Sequence, residues 1–190
     1  ENALRNPKRT ARTGAALMVG VALVVGITVI AGAAKQWVED VFEEQFTGDF
    51  VVESGSFGYG GFSPQLAADL AELPEFAATT GIRAGSARLI GEQTSNVQYS
   101  AVDPATVTAV FDTGVVEGDV ASLTTSQVML DDDEADKRGG VVGDTLTFEF
   151  LDGARRDLTV AGIYTKDDLA GNFVISQGLH ELSGADQFDL

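Results

Sequence analysis

The hydrophobic pattern of the chain is dominated by one run without charged residues, Thr13 to Ala34, which lies between Arg12 and Lys35. At about 1.5 Å per residue, a helix of this run is roughly 33 Å long, which is enough to cross the hydrocarbon core of a bilayer. A single segment in that environment must satisfy its own backbone hydrogen bonds, and only a helix does so. The pattern therefore predicts a transmembrane helix over residues 13–34.

The charges on the two sides of this run differ in sign. The basic residues before it are Arg5, Lys8, Arg9 and Arg12. Acidic residues follow it in the stretch 39–44. The positive-inside rule then predicts that residues 1–12 form a cytoplasmic elbow at the membrane surface and that residues 35–190 lie outside the cytoplasm. Lys35 and Trp37 suit the outer interface, because lysine extends its ammonium group to water and tryptophan favours the headgroup region.

Two other interpretations of the run remain open. Residues 31–33 have the A-x-A form of a signal-peptide cleavage site, and basic residues precede the run. The run is longer than the usual signal-peptide core of about 7–15 residues, and the chain begins with Glu1, which favours an origin inside a longer protein. The second alternative is a buried helix of a soluble core, although such helices rarely stay uncharged over this length.

Small residues within the run recur at intervals of four. The pairs are Ala16 and Gly20, Ala22 and Gly26, and Thr28 and Gly32. Because successive residues turn by about 100°, the three pairs face different directions, and small pairs allow close helix packing in membranes. We therefore expect Gly20, Gly26 and Gly32 to contact other membrane helices, although an Ala- and Gly-rich run also produces such pairs by chance.

Helical patterning continues beyond the membrane. Val38, Val41, Phe42 and Phe46 fall on one face, and acidic residues occupy the other. This spacing predicts one helix from about Pro7 to Phe46, ended by Gly48, with residues 35–47 as a stalk.

Residues 48–190 show the pattern of an α+β domain with short helices and antiparallel strands. The clearest signal is the alternation of Leu146, Phe148 and Phe150, followed by a turn at Asp152-Gly153 and a return strand. The expected strands are 49–54, 81–91, 96–102, 127–130, two strands within 144–164, and 173–175. The expected short helices are 64–73, 104–111, 131–140 and 177–182, and a loop is expected at 115–123.

Composition narrows the class of function. Of the formal net charge of −17, residues 1–35 contribute +4 and residues 36–190 contribute −21. So acidic an exterior excludes nucleic acid as a partner on electrostatic grounds. The sequence contains no cysteine, so the exterior domain must be stabilised by packing alone and lacks thiol chemistry.

Candidate catalytic and metal-binding residues are few. His180 is the one histidine, and no G-x-S-x-G motif accompanies it, so we expect no catalytic residue and no enzyme activity. The acidic run 131–136 lacks the D-x-D-x-D-G spacing of a calcium loop, so a solvated helix face is expected there, without a metal. The Gly-rich segment 55–61 lacks the Lys-Ser/Thr of a phosphate-binding loop, so no cofactor is expected either.

Aromatic side chains around that Gly-rich segment form the remaining candidate site. They are Phe57, Tyr59 and Phe62. On a glycine-rich backbone they have the chemistry to contact lipid, a substrate or a protein partner, and the alternative is that they fold back onto the core.

Three stretches together resemble the FtsX-like and MacB-like permease subunits of ABC transporters, in particular the actinobacterial type. The first is the entry ENALRNPKRTARTGAALMVGVALV, and the second is the long helix that follows it. The third runs from VVEGDVASL through VVGDTLTFEF to LTVAGIY and is similar to the MacB-like extracytoplasmic core. The resemblance implies a fragment with one membrane span and one core domain.

The resemblance also implies partners and a function. ATP would be bound by a separate cytoplasmic ATPase subunit, and the stalk and core domain would transmit its motion to export, extraction or signalling outside the membrane. The implied partners are that ATPase, other permease segments or a second permease copy, the lipid bilayer, and a lipid, lipoprotein or peptide substrate. A single-span receptor or binding protein is the main alternative, and a membrane-anchored hydrolase is a third.

Overall fold

The computed structural model describes residues 7–52, 61–91, 94–165 and 171–185. The chain divides into two compact units, Glu1–Phe42 and Glu43–Leu190. Helix α1 covers Pro7–Gln45 without interruption, which confirms the predicted long helix. Its segment Gly14–Trp37 has the length and apolar composition to cross a membrane, and none of it is buried.

The second unit is an α+β domain, as the hydrophobic pattern predicts. Its helices are α2 (Pro64–Ala71), α3 (Val107–Val110), the 3-10 helix η1 (Val120–Ser122), α4 (Asp132–Arg138) and α5 (Gln177–Glu181). Its strands are β1 (Arg83–Ile90), β2 (Ser95–Val102), β3 (Val115–Gly118), β4 (Gln127–Asp131), β5 (Thr145–Glu149), β6 (Arg155–Tyr164) and β7 (Phe173–Ser176).

The seven strands form one sheet in the order β3-β6-β4-β7-β2-β1-β5, and β5 also pairs with β6. Six strands therefore form a closed ring, β6-β4-β7-β2-β1-β5 and back to β6. Strand β3 joins the ring from outside, beside the end of β6. Two pairings are parallel, β2 with β7 and β4 with β6, and the others are antiparallel.

The two faces of the sheet carry two separate apolar clusters. We call the cluster of thirteen buried residues from the six ring strands, Phe150 and α5 the inner cluster. The other, the outer cluster, is built around Val102, Val107, Phe111, Val120, Leu123, Met129, Tyr164 and Val174. Successive residues of a strand point to opposite faces, which explains why Val128 belongs to the inner cluster and Met129 to the outer one.

Strand β6 changes faces along its length because it contains a bulge. Val128 pairs with Val160, but Met129 pairs with Gly162, so Ala161 is an extra residue in the ladder. Val160 consequently points into the inner cluster, whereas Tyr164, four residues later, points into the outer cluster. A regular strand would place both on one face.

Two local predictions are wrong. Residues 49–52 form no strand, although a strand was expected over 49–54. Phe50 is 80% exposed, so its apolar side chain has no buried face to occupy. In the expected loop at 115–123, the structure has strand β3 followed by the 3-10 helix. All four residues of β3 are exposed. A strand without a buried face needs no alternation of apolar and polar residues, so the sequence pattern does not indicate it.

Candidate functional site

The end of helix α1 is fastened to helix α3, in what we call the helix-end joint (residues 46–48 and 109–111). Phe46 and Phe111 form an isolated antiparallel bridge. Their rings meet edge to face, with centroids 5.6 Å apart and an angle of 83° between planes. This arrangement is the one that aromatic quadrupoles favour.

Thr47 adds two hydrogen bonds to the same joint. Its backbone N–H donates to the Val110 carbonyl at 3.2 Å, and its hydroxyl donates to the Ala109 carbonyl at 3.2 Å. Gly48 follows, and a Cβ there would lie 3.6 Å from the Val110 Cβ. The chain is thus held at residues 46 and 47, directly after the helix ends.

Through Phe111 the joint is part of the outer cluster. Phe111 is 3% exposed and Val107 is fully buried. Both belong to the outer cluster, which also contains Val102 of β2, Met129 of β4 and Val174 of β7. The joint is therefore part of one apolar cluster with residues of strands β2, β4 and β7.

The structure places the predicted membrane-interface residues on helix α1 or outside the described residues. Lys8, Arg12, Lys35 and Trp37 are exposed on the helix. Arg9 lies in the same helix, and Arg5 lies outside the described residues. Their membrane-facing role stays a prediction.

The three predicted packing glycines have open space around them. A Cβ built on Gly20, Gly26 or Gly32 meets no atom within 4 Å. Each position could therefore accept a neighbouring helix, and the expected packing role stays a prediction.

The aromatic candidate site is described only in part. Phe57 and Tyr59, like most of the Gly-rich segment 55–61, lie outside the described residues. Phe62 is half-buried directly before helix α2, which begins after the capping residue Ser63. The contact surface predicted from these aromatics stays a prediction.

His180 belongs to a buried polar network that sequence reasoning missed. The Tyr99 hydroxyl lies 3.2 Å from His180 Nδ1 and 3.3 Å from Ser183 Oγ. Ser183 donates to the His180 carbonyl at 2.6 Å. His180 and Ser183 are completely buried and Tyr99 is 3% exposed, so the group has no access to a ligand. Its hydrogen bonds stabilise the packing of α5 against β2.

Burial raises the pKa of the Tyr99 phenol above its usual value. Above about pH 10, an unfolded tyrosine releases its proton while buried Tyr99 keeps it. We expect the free energy of unfolding of the chain to fall as pH rises from 10, measured by urea titration at several pH values. Tyr99→Phe should reduce this alkaline slope, and an identical slope in wild type and variant would contradict the assignment.

The acidic run is occupied with structural contacts. Asp131 is completely buried and caps helix α4 by accepting from the Glu134 N–H at 3.0 Å. Glu134 Oε1 is 3.3 Å from Lys137 Nζ, and Glu134 Oε2 is 2.8 Å from Arg138 Nε. These ion pairs run along the helix, and the hydrogen bond with Glu134 raises the pKa of Lys137. Across the described ranges, no group of three or more His, Cys, Asp or Glu could hold a metal ion.

A second unpredicted contact ties the β5–β6 turn to the end of α5. Arg156 donates to both carboxylate oxygens of Asp152, at 3.1 and 2.6 Å, and this pairing lowers the pKa of Asp152. It also donates to the Leu182 carbonyl at 2.7 Å. The Arg156 guanidinium lies 5.3 Å from the centre of the Phe150 ring.

Comparison with known proteins adds one family. The profile of the MacB-like periplasmic core domain matches residues 10–185, which includes most of helix α1 and nearly all of the second unit. No curated protein matches the sequence. A solved domain of a Porphyromonas gingivalis protein, provisionally named a permease, is similar at 20% identity and a TM-score of 0.48. The similarity covers 62% of this chain and 52% of that one, so the chain spans about half of that structure's length.

Proposed function

The chain belongs to the MacB-like periplasmic core domain family of ABC transporter permeases, and from this membership we propose that it couples a cytoplasmic ATPase to work outside the membrane. The match over residues 10–185 carries the proposal, because it includes both the apolar helix and the exterior domain. The chain would supply one membrane span and the core domain of a permease subunit. ATP would be bound by a separate subunit.

The fold supports coupling through a single path. Helix α1 is continuous over its 39 residues, so no turn or loop interrupts the backbone between Pro7 and Gln45. Directly after the helix, the joint fastens residue 47 to helix α3 by two hydrogen bonds. Force applied to the helix would therefore reach the outer cluster without passing through a flexible linker.

The exterior domain would act on its substrate or partner without chemistry of its own. Its acidic charge favours a lipid, lipoprotein or peptide over any nucleic acid. The aromatic side chains Phe57, Tyr59 and Phe62 are the proposed contact surface. Transport and signalling are both served by such a surface.

The topology of the chain can be tested with a reporter that is active only in the cytoplasm. Because basic residues precede the span and acidic residues follow it, a reporter fused after Leu190 is expected to be silent. The same reporter fused before residue 1 should be active and serves as the control. Activity of the fusion after Leu190 would overturn the topology and the coupling proposal together.

Membrane assembly is the second test of the proposal. Gly20→Leu or Gly26→Leu places a large side chain where a neighbouring helix would approach, so we expect loss of co-purification with the ATPase and other permease segments. Val24→Leu is the matched control on the same helix, since it changes an already large side chain. A single-span receptor would tolerate all three changes. If both glycine variants still form intact complexes, the proposed packing role of these glycines is wrong.

A further inference from the structure

Besides the bond from the Thr47 hydroxyl to the Ala109 carbonyl, the helix-end joint has two attachments of different kinds. One is a backbone hydrogen bond, from the Thr47 N–H to the Val110 carbonyl at 3.2 Å. The other is the ring contact between Phe46 and Phe111. The backbone bond does not depend on side-chain identity, and the ring contact does. The two can therefore be removed separately.

The bond pattern defines the geometry of the bridge. Phe46 and Phe111 are opposed, and the bond from residue 47 to residue 110 lies just beyond them. This is the arrangement of a non-hydrogen-bonded antiparallel pair, in which the two Cα atoms are about 4.5 Å apart. That separation is within the range that a disulfide spans, and the sequence contains no cysteine that would compete.

Burial indicates which side of the joint is fixed. Phe111 is 3% exposed among outer-cluster residues, and Phe46 packs against the same cluster. Opening the bridge would expose part of this cluster to water and leave the Thr47 and Val110 backbone groups without their bond.

We propose that the helix-end joint is a clamp that stays closed throughout the ATPase cycle, with Phe111 as the positioning residue that passes displacement of the helix end to strands β2, β4 and β7. The proposal rests on the coupling function proposed above and specifies where coupling occurs. On this proposal, the helix-end joint is a permanent attachment, and the alternative is a joint that must open and close during each ATPase cycle.

The backbone attachment is tested with Thr47→Pro, which removes the N–H donor at a position outside the helix. Thr47→Ala is the matched control, because it keeps the N–H and loses only the hydroxyl and methyl groups of the side chain. Both variants are placed in the full protein with its ATPase in a membrane. The readouts are the nucleotide-dependent signal of a fluorescent unnatural amino acid at exposed Ser86, and the unfolding temperature of the exterior domain.

We expect Thr47→Pro to lose the nucleotide-dependent signal while the unfolding temperature and ATP hydrolysis remain. Thr47→Ala should keep the signal. A merely structural role of residue 47 would instead change the unfolding temperature and the signal together.

The ring contact is tested with the double variant Phe46→Cys and Phe111→Cys. When reduced, it lacks the ring contact and should lose the signal. Oxidation should form the cross-link and restore the signal, because a permanently closed clamp is the active form. Absence of the signal in the cross-linked protein would show that the joint must open, which overturns the clamp.

The outcomes separate this proposal from the function on which it rests. If unaltered protein shows no nucleotide-dependent signal, the coupling function fails and the clamp fails with it. If unaltered protein shows the signal, and both Thr47→Pro and the reduced double variant keep it, the clamp alone is overturned.

Discussion

Val41→Pro is expected to uncouple the second unit, Glu43–Leu190, from ATP hydrolysis. Residue 41 lies within helix α1, between the span candidate Gly14–Trp37 and the joint. Proline there removes the hydrogen bond to the carbonyl of residue 37 and clashes with that carbonyl, at a cost of about 3 kcal/mol relative to alanine. The helix should kink or break at this point, so that displacement of the span no longer reaches residue 46.

The second unit should still fold in this variant, because all of its described strands lie beyond Gly48. Val41→Ala is the matched control, since alanine favours helix and keeps the backbone donor. ATPase activity and the distance between two labels across the second unit are measured separately in a membrane. If the distance still follows the ATP cycle at normal amplitude in the proline variant, helix α1 is only a tether.

Gly162→Ala is expected to destabilise the second unit by about 3 kcal/mol, the upper end of the usual cost of overpacking. A Cβ at Gly162 would lie 2.4 Å from the Glu117 carbonyl oxygen and 2.8 Å from Met129 Cε. The methionine can move, but the carbonyl belongs to the backbone of β3, which is fixed by pairing with β6. Strand β3 would have to separate from the bulged end of β6.

Gly91→Ala is the matched control for this change. A Cβ at Gly91 meets no atom within 4 Å, so its effect should stay within about 0.5 kcal/mol. Urea unfolding of the detergent-solubilised chain, followed by circular dichroism, measures both variants. Equal urea midpoints for the two variants would mean that β3 adapts to the added methyl group. The close approach of Gly162 to the Glu117 carbonyl would then contribute nothing measurable to stability.

Much of the fold could be predicted from the sequence wherever local pattern decides. The uncharged run 13–34 and the stalk pattern predict helix α1 almost to its last residue. The alternation of Leu146, Phe148 and Phe150 and the Asp152-Gly153 turn predict strands β5 and β6. In each case, the residues that interact are neighbours along the chain or on one face of an element.

The joint, the bulge and the polar network could not be predicted, because they depend on distant residues. Phe46 meets Phe111 across 65 positions, and the expected helix 104–111 gave no indication that its last residue would pair with the end of α1. Ala161 is an extra residue only by comparison with β4. His180 reads as an isolated histidine until Tyr99 and Ser183 are placed beside it.

The closed ring of six strands has a consequence for aggregation on a crowded membrane surface. A strand with an unpaired edge is a template for backbone pairing with another chain, and closure removes such edges. Within the described part of the sheet, β3 alone has a single neighbour, and it is four residues long with a bulge in its pairing and the charge of Glu117. Neighbouring copies therefore present few unpaired backbone groups to one another. We expect any association between them to occur through side chains and membrane helices.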